Sequence, residues 1–186
     1  GGLGRELCFY LIGLGARLIT LDRNPEKEKK LKAEILEKYP AADISSYFCD
    51  MEKLDEVTRA AEGLKKEKID ALILNSAAYA IPKRETREGY NNVFTINFIS
   101  PYYLLKELLP SLRERGGRAV IVGSIAHNYS KTDPENIDFG SKNSSALIYG
   151  NSKRYLMYSI YKLFENEDKV SLAVAHPGIS FTGITN

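Results

Sequence analysis

The chain has no tryptophan, two histidines, two cysteines and two methionines in 186 residues, and these scarcities remove whole classes of function. His127 and His176 are far apart in sequence, and with Cys8 and Cys49 they make no cluster at metal-ligand spacing, so no metal site is expected. Two cysteines cannot build a disulfide framework. Each lies in an apolar segment, which suits buried free thiols in a reducing compartment, and a cytoplasmic location is the expectation. No uncharged apolar run approaches the roughly 20 residues of a membrane-spanning helix, so no membrane association is evident. An excess of one charge is lacking too. Lysine and arginine number 26 against 24 aspartates and glutamates, a net +2 with the signs interspersed, so no basic footprint argues for nucleic acid and an RNA-associated reading is disfavoured.

With 44% hydrophobic and 27% charged residues, the chain can bury a substantial core, and with no repeat or low-complexity linker it reads as one domain over 1–186. Short apolar runs over 16–22, 44–50, 69–74, 118–124 and 170–175 alternate with helical patterns over 25–38, 53–66, 88–112 and the stretch around 149–161. Pro25 suits the first position of a helix, and Pro101 is expected to kink the long one. The polar stretch over 127–145 reads as an exposed insertion. Strands alternating with helices imply right-handed crossovers and a three-layer αβα, doubly wound parallel sheet, a Rossmann-like fold that binds ligands beyond the carboxyl ends of its strands.

Candidate site residues gather at those ends. Gly2-Leu3-Gly4 opens a helix-like run, where backbone amides and the positive helix end can receive a pyrophosphate, although glycines before a helix are more often only a tight turn. Asp22 closes the first apolar run near the offset of about 20 residues at which a carboxylate accepts the adenosine ribose hydroxyls. Arg23, next to it, would welcome a 2′-phosphate, so NAD is preferred with NADP as the alternative. Asp50 closes the second run and is open to two roles, adenine contact or capping of the helix that begins near Lys53. The third run ends in Asn75-Ser76-Ala77-Ala78, small residues that let a ligand pass close to the backbone. Ser124 ends the fourth.

Tyr149 and Lys153 are four residues apart, so on a helix both project from one face. A nearby cation favours a phenolate, which makes the pair an acid/base device. The spacing alone is weak, because Tyr79/Lys83, Tyr102/Lys106 and Tyr158/Lys162 share it and isolated pairs of this kind are commonly solvated surface contacts. Asn97, on an otherwise apolar stretch, reads equally as a buried polar residue satisfied by neighbouring backbone.

Together these residues resemble the short-chain dehydrogenase/reductase family over essentially the whole chain. Gly2-Leu3-Gly4 matches the end of a Thr-Gly-x-x-x-Gly-x-Gly turn, and Asn75-Ser76-Ala77-Ala78 stands where Asn-Asn-Ala-Gly is usual. Asn97, Ser124, Tyr149 and Lys153 match a catalytic tetrad, and Pro177-Gly178 with Thr182 matches the motif after the last strand. The polar insertion between Ser124 and Tyr149 is similar to the retinol-dehydrogenase-like branch. The resemblance implies hydride transfer between a nicotinamide cofactor and an alcohol or carbonyl. Tyr149 would be the acid/base, Lys153 would lower its pKa and bind the nicotinamide ribose, Ser124 would hold the substrate oxygen and Asn97 a relay water. The cofactor site would comprise Gly2, Leu3, Gly4, Asp22, Arg23, Asp50, Met51, Asn75, Ala77, Tyr149, Lys153, Pro177, Gly178, Ile179 and Thr182.

The family pattern also has a central first strand before Gly1 and a substrate-covering segment after Asn186, so the expectation is a domain incomplete at both ends. The alternative from another class is a sensor or scaffold that binds NAD(P)(H) without turnover. A small-molecule alcohol or carbonyl is the expected partner. Tyr102, Tyr103, Tyr155, Tyr158 and Phe164 offer more aromatic surface than one core needs, and in the family the two helices that carry them commonly form an interface, so a homodimer or homotetramer is expected.

Overall fold

A computed structural model describes residues 2–137 and 143–178. In chain order they form α1 (Gly2–Gly13), β1 (Leu18–Asp22), α2 (Pro25–Lys38), β2 (Ile44–Phe48), α3 (Leu54–Leu64) and β3 (Ala71–Leu74). Then come α4 (Asn92–Phe94), a π-helical turn (Thr95–Ile99), α5 (Ser100–Glu114), β4 (Arg118–Val122), a 3₁₀ turn (Ile125–Asn128), α6 (Ser145–Leu163) and β5 (Ser171–Ala175). The alternation expected of an α/β fold is present, with every strand pairing parallel to its neighbour.

Local chemistry accounts for the boundaries. Asn24 accepts the Lys27 amide and Pro25 follows in the first turn, so α2 begins where a side-chain acceptor and a residue without an N–H coincide. In α5, Leu104, Leu105, Leu108, Leu109 and Leu112 are all buried, a stripe at helical spacing on a helix that packs against α3, α6 and β3. These leucines join Val57, Ala61, Leu64, Ile121, Leu156 and Ile160 in the main core, while Ile12, Ile35 and Ile44 form a second cluster between α1, α2 and β2.

The described strands form two sheets, β1-β2 and β3-β4-β5. β1 and β3 share no hydrogen-bonded pairing among the described residues. The apolar run over 69–74 reads as a buried strand, but in β3 only Leu74 is fully buried, and β3 stands at an edge of its sheet. Similarly β5 exposes four of its five residues.

The long helical pattern over 88–112 is also modified. Helix starts only at Asn92, where Asn91 caps the Val93 and Phe94 amides, and the π turn over Thr95–Ile99 comes before Pro101 rather than a kink at it. The extra residue of that turn sets Pro101 in the first turn of α5, where its missing N–H is tolerated.

The described part of 127–145 is mostly exposed, as expected, but it is anchored at one point. Ser130 is buried, and the Arg154 Nε donates to the His127 carbonyl at 2.8 Å. The 3₁₀ turn lies so close to α6 that a Cβ on Gly150 would fall 2.7 Å from the Ala126 carbonyl oxygen. Among the described residues no helix is long and apolar enough to cross a membrane.

Candidate active site

Two groups of side chains assemble at the carboxyl ends of the strands. The first surrounds the end of β4. Lys153, on α6, is almost wholly buried at 2% exposure, and its Nζ donates to the carbonyl of Val122, the last residue of β4, at 3.0 Å. Its ammonium lies 5.9 Å from the centre of the Tyr149 ring one turn earlier on the same helix. Ser124 stands two residues beyond β4, where its Oγ accepts the Ala126 amide at 3.2 Å and its carbonyl lies 2.5 Å from His127 Nδ1. Those contacts set it as the cap of the 3₁₀ turn and hold its hydroxyl near Tyr149.

Asn97, fully buried in the π turn, fastens this group to the end of β3. Its Oδ1 accepts the Ala78 amide at 2.7 Å, and its Nδ2 donates to the Ala78 carbonyl at 2.9 Å and to Ser152 Oγ at 3.1 Å. Ser152 in turn donates to the Tyr149 carbonyl at 2.7 Å. Backbone groups and one hydroxyl therefore satisfy the Asn97 amide, as a buried amide requires.

Electrostatics depart from expectation in one respect. Burial pushes the Lys153 ammonium down to about 8 from an ordinary 10.5, since a low-dielectric site disfavours the charged form. Burial also raises the Tyr149 phenol, a hydrogen bond from Ser124 pulls it back, and neighbouring Tyr79 adds to the rise. Lys153 was expected to lower the phenol. In this structure desolvation dominates instead, and the ammonium is turned to the Val122 carbonyl.

The second group lies where β1 and β2 end. Asp22 Oδ1 accepts the Asn24 amide at 2.8 Å, and its carbonyl accepts the Cys49 amide at 3.1 Å, which draws the ends of β1 and β2 together. Arg23 Nη1 stands 3.9 Å from Asp50 Oδ1, with its side chain 57% exposed. Of the two roles open to Asp50, the cap is not the one seen. Lys53 occupies the cap of α3 with no side-chain bond, and Asp50 instead accepts the Glu52 amide at 3.1 Å while its own amide donates to Glu56. The Met51 carbonyl accepts Ser100 Oγ at 2.6 Å, so Met51 is tied to the start of α5.

Gly4 joins α1 to β3. A Cβ there would stand 2.9 Å from Asn75 Nδ2, so a larger residue would have to displace the Asn75 side chain from the helix start. Gly2, Leu3 and Gly4 occupy the first turn of α1, which carries no acidic side chain, and their amides suit an anion. Ala77 is half-buried beside the Asn97 clamp. Pro177 and Gly178 are exposed beyond β5, with Gly178 at φ 75°, and Ile179 and Thr182 lie outside the described residues. A glycine cradle, two carboxylates at neighbouring strand ends and a buried lysine fit a dinucleotide. Among the described residues no group of three or more histidine, cysteine, aspartate and glutamate side chains could hold a metal ion. A cleft lined by Tyr161, Phe164, Val170 and Leu172 opens at the opposite, amino-terminal end of β5 and holds none of these residues.

Sequence reasoning missed Tyr79 and Ser152. Tyr79 meets the Tyr149 ring edge to face at 5.3 Å, and Ser152 links Asn97 to α6. Small residues leading into an aromatic were the only signal for the first, and the serine before the lysine for the second.

A family model described as short chain dehydrogenase matches residues 1–133. Human polyprenol dehydrogenase is 26% identical over 98% of this chain and 59% of its own length. The chain spans little more than half the length of the curated relatives it matches. Among solved structures, an uncharacterized protein from Mycobacterium paratuberculosis superimposes with a TM-score of 0.83 at 26% identity, covering 100% of this chain and 68% of that one. A short-chain dehydrogenase from Sphingobium yanoikuyae, solved with NADPH, shares the fold with a TM-score of 0.72 at 18% identity, covering 94% and 67%.

Proposed function

The chain belongs to the short-chain dehydrogenase family, and on that premise we propose that it moves a hydride between a nicotinamide cofactor and an alcohol or carbonyl, with Tyr149 as the acid/base. The observation that carries the reading is the burial of Lys153 beside Tyr149 at the end of β4, within one network that also includes Ser124 and Asn97. A lysine at 2% exposure destabilises a fold unless its charge is used.

The bound cofactor supplies the reactive hydrogen. Tyr149 Oη gives a proton to the substrate oxygen in reduction, or takes one in oxidation. Ser124 Oγ donates to the same oxygen and stabilises charge that develops there. Lys153 keeps two donors beyond the one given to Val122, and these serve a ribose hydroxyl and the phenol. The Asn97 side chain is committed to Ala78 and Ser152, so a relay water would fall to its main-chain carbonyl.

Gly2, Leu3 and Gly4 would receive the pyrophosphate, and Asp22 the adenosine ribose, with Asp50 and Met51 flanking the adenine. Asn75 and Ala77 would line the path of the cofactor, and Pro177, Gly178, Ile179 and Thr182 would orient the carboxamide. Two carboxylates against one guanidinium favour the ribose diol of NAD. Arg23 would have to leave its 3.9 Å contact with Asp50 to take the 2′-phosphate of NADP. A polyprenol, after the human relative's name, is the first substrate to screen.

Tyr149→Phe tests the reading. It should keep cofactor affinity and lose turnover by about 10²- to 10⁴-fold, the usual worth of positioned proton transfer. Full turnover in that variant would refute the assignment, and a protein that binds cofactor but turns over no alcohol or carbonyl would be the sensor.

A further inference from the structure

Tyr79 lies five residues beyond β3, in no regular element, yet its place is determined at every side. The residue before it, Ala78, is clamped through both amide and carbonyl by Asn97. The residue after it, Ala80, has φ 52°, a left-handed conformation that non-glycine residues seldom adopt and that turns the chain away at once. Farther on, Asn92 Nδ2 donates to the Pro82 carbonyl at 3.1 Å and its Oδ1 accepts the Arg84 amide at 3.3 Å. Lys83 Nζ donates to the Asn143 carbonyl, just ahead of α6. The segment is a wall fastened to the π turn, to α4 and to the approach of α6, and Tyr79 is the aromatic it presents to Tyr149. The two rings stand 5.3 Å apart at an interplanar angle of 81°, the geometry in which one ring's positive edge meets the other's negative face.

We infer that Tyr79 is a positioning residue for Tyr149, holding the phenol ring in one orientation and keeping water from it. The inference deepens the reading of Tyr149 as the proton-transfer group and rests on it. Burial is the leading influence that raises the Tyr149 phenol, in keeping with a ring that covers another, and the charge of the Tyr79 phenol adds a lesser rise. Ring cover rather than hydroxyl chemistry is the device, so phenylalanine should serve at position 79 and alanine should not.

The test is a titration of the intact protein labelled with [13Cζ]tyrosine, the Tyr149 signal being the one missing from Tyr149→Phe. In Tyr79→Ala its midpoint should fall toward the ordinary phenol value near 10, and in Tyr79→Phe it should stay with the wild type. Turnover should drop about three- to tenfold in Tyr79→Ala, the range of an aromatic pair, with cofactor KM unchanged, and the alkaline limb of its pH profile should move the same way as the signal. If the alanine variant does not fold, Tyr79→Ser opens the same space and should shift the signal likewise. A wild-type midpoint in both the alanine and serine variants would overturn the inference, and so would a phenylalanine variant that shifts as far as alanine. Undiminished turnover in Tyr149→Phe would instead remove the proton-transfer role, while the signal would still decide whether Tyr79 covers the ring.

Discussion

Lys153 should make this protein more stable as the solution becomes more alkaline. Its folded-state value of about 8, against an ordinary 10.5, means that between those two pH values the unfolded chain binds more protons than the folded one, so stability rises with pH across the window. Below pH 8 both states carry the ammonium and the full desolvation cost is present. The total span is about 3 kcal/mol at 1.36 kcal/mol per pH unit. Of that, about 1 kcal/mol should appear between pH 7 and 9, and the greater part by pH 10. Cys49 works in the opposite sense, because burial pushes its thiol up to about 11 from 9.0. The unfolded chain then loses its proton first, and stability falls above pH 9.

The clean measurement is therefore a difference. Urea unfolding of the wild type and of Lys153→Met at pH 7, 8, 9 and 10 cancels Cys49 and the tyrosines, and leaves the lysine. At pH 7 the substitution itself should be close to neutral. Removing the buried charge is favourable, but leaving the Val122 carbonyl unpaired costs about 1 to 3 kcal/mol. As pH rises the wild type should gain on the variant by the amounts above. Parallel curves from pH 7 to 10 would show that the ammonium is not desolvated, and the argument from its burial to its use would fall with it.

On the proposed reading, Asp22 and Arg23 would decide the choice of cofactor. Removing the carboxylate in Asp22→Ala should weaken NADH binding and strengthen NADPH binding, each by about tenfold, the worth of one charge-assisted hydrogen bond of roughly 1.5 kcal/mol. Fluorescence titration of both nucleotides measures it, and an unchanged ratio would exclude Asp22 as the ribose acceptor. On the outer face of α6, Tyr158 and Tyr161 are 56% and 55% exposed, whereas Tyr102, Tyr103, Tyr155 and Phe164 are turned partly into the core. We propose that this face meets a second copy of the chain. Light scattering at working concentration should give a dimer or tetramer mass, and a monomer would exclude it.

The alternation of strands and helices was legible because it rests on local signals. Apolar runs of six or seven residues, a capped Pro25 and the leucine stripe of α5 each determine their own element with little help from the rest of the chain. The π turn was not legible in the same way. Pro101 announces that an i, i+4 bond must be missing, but whether the helix bends, stops or takes in an extra residue depends on what Asn97 can reach. Asn97 reaches Ala78 and Ser152, partners from two other elements. The exposure of β3 and β5 was likewise hidden, since an apolar run carries no record of which edge of a sheet it will occupy.

For the candidate site, residue type was readable and the direction of interaction was not. The spacing of Tyr149 and Lys153 suggests an ammonium beside a phenol, and the helix does put them on one face. The proton of Lys153 nonetheless goes to Val122, a carbonyl whose nearness depends on how α6 lies against β4. Nothing in the order of residues around position 149 encodes that packing. Tyr79 makes the same point from the other side. It has Lys83 four places on, but Pro82 between them disfavours a helix that would join the two. What brings it to Tyr149 is the clamp on Ala78, which draws a chain segment from β3 against the face of α6. A sequence can display the groups that do chemistry, but the groups that hold them are recruited by tertiary contacts and become visible only when the chain has folded.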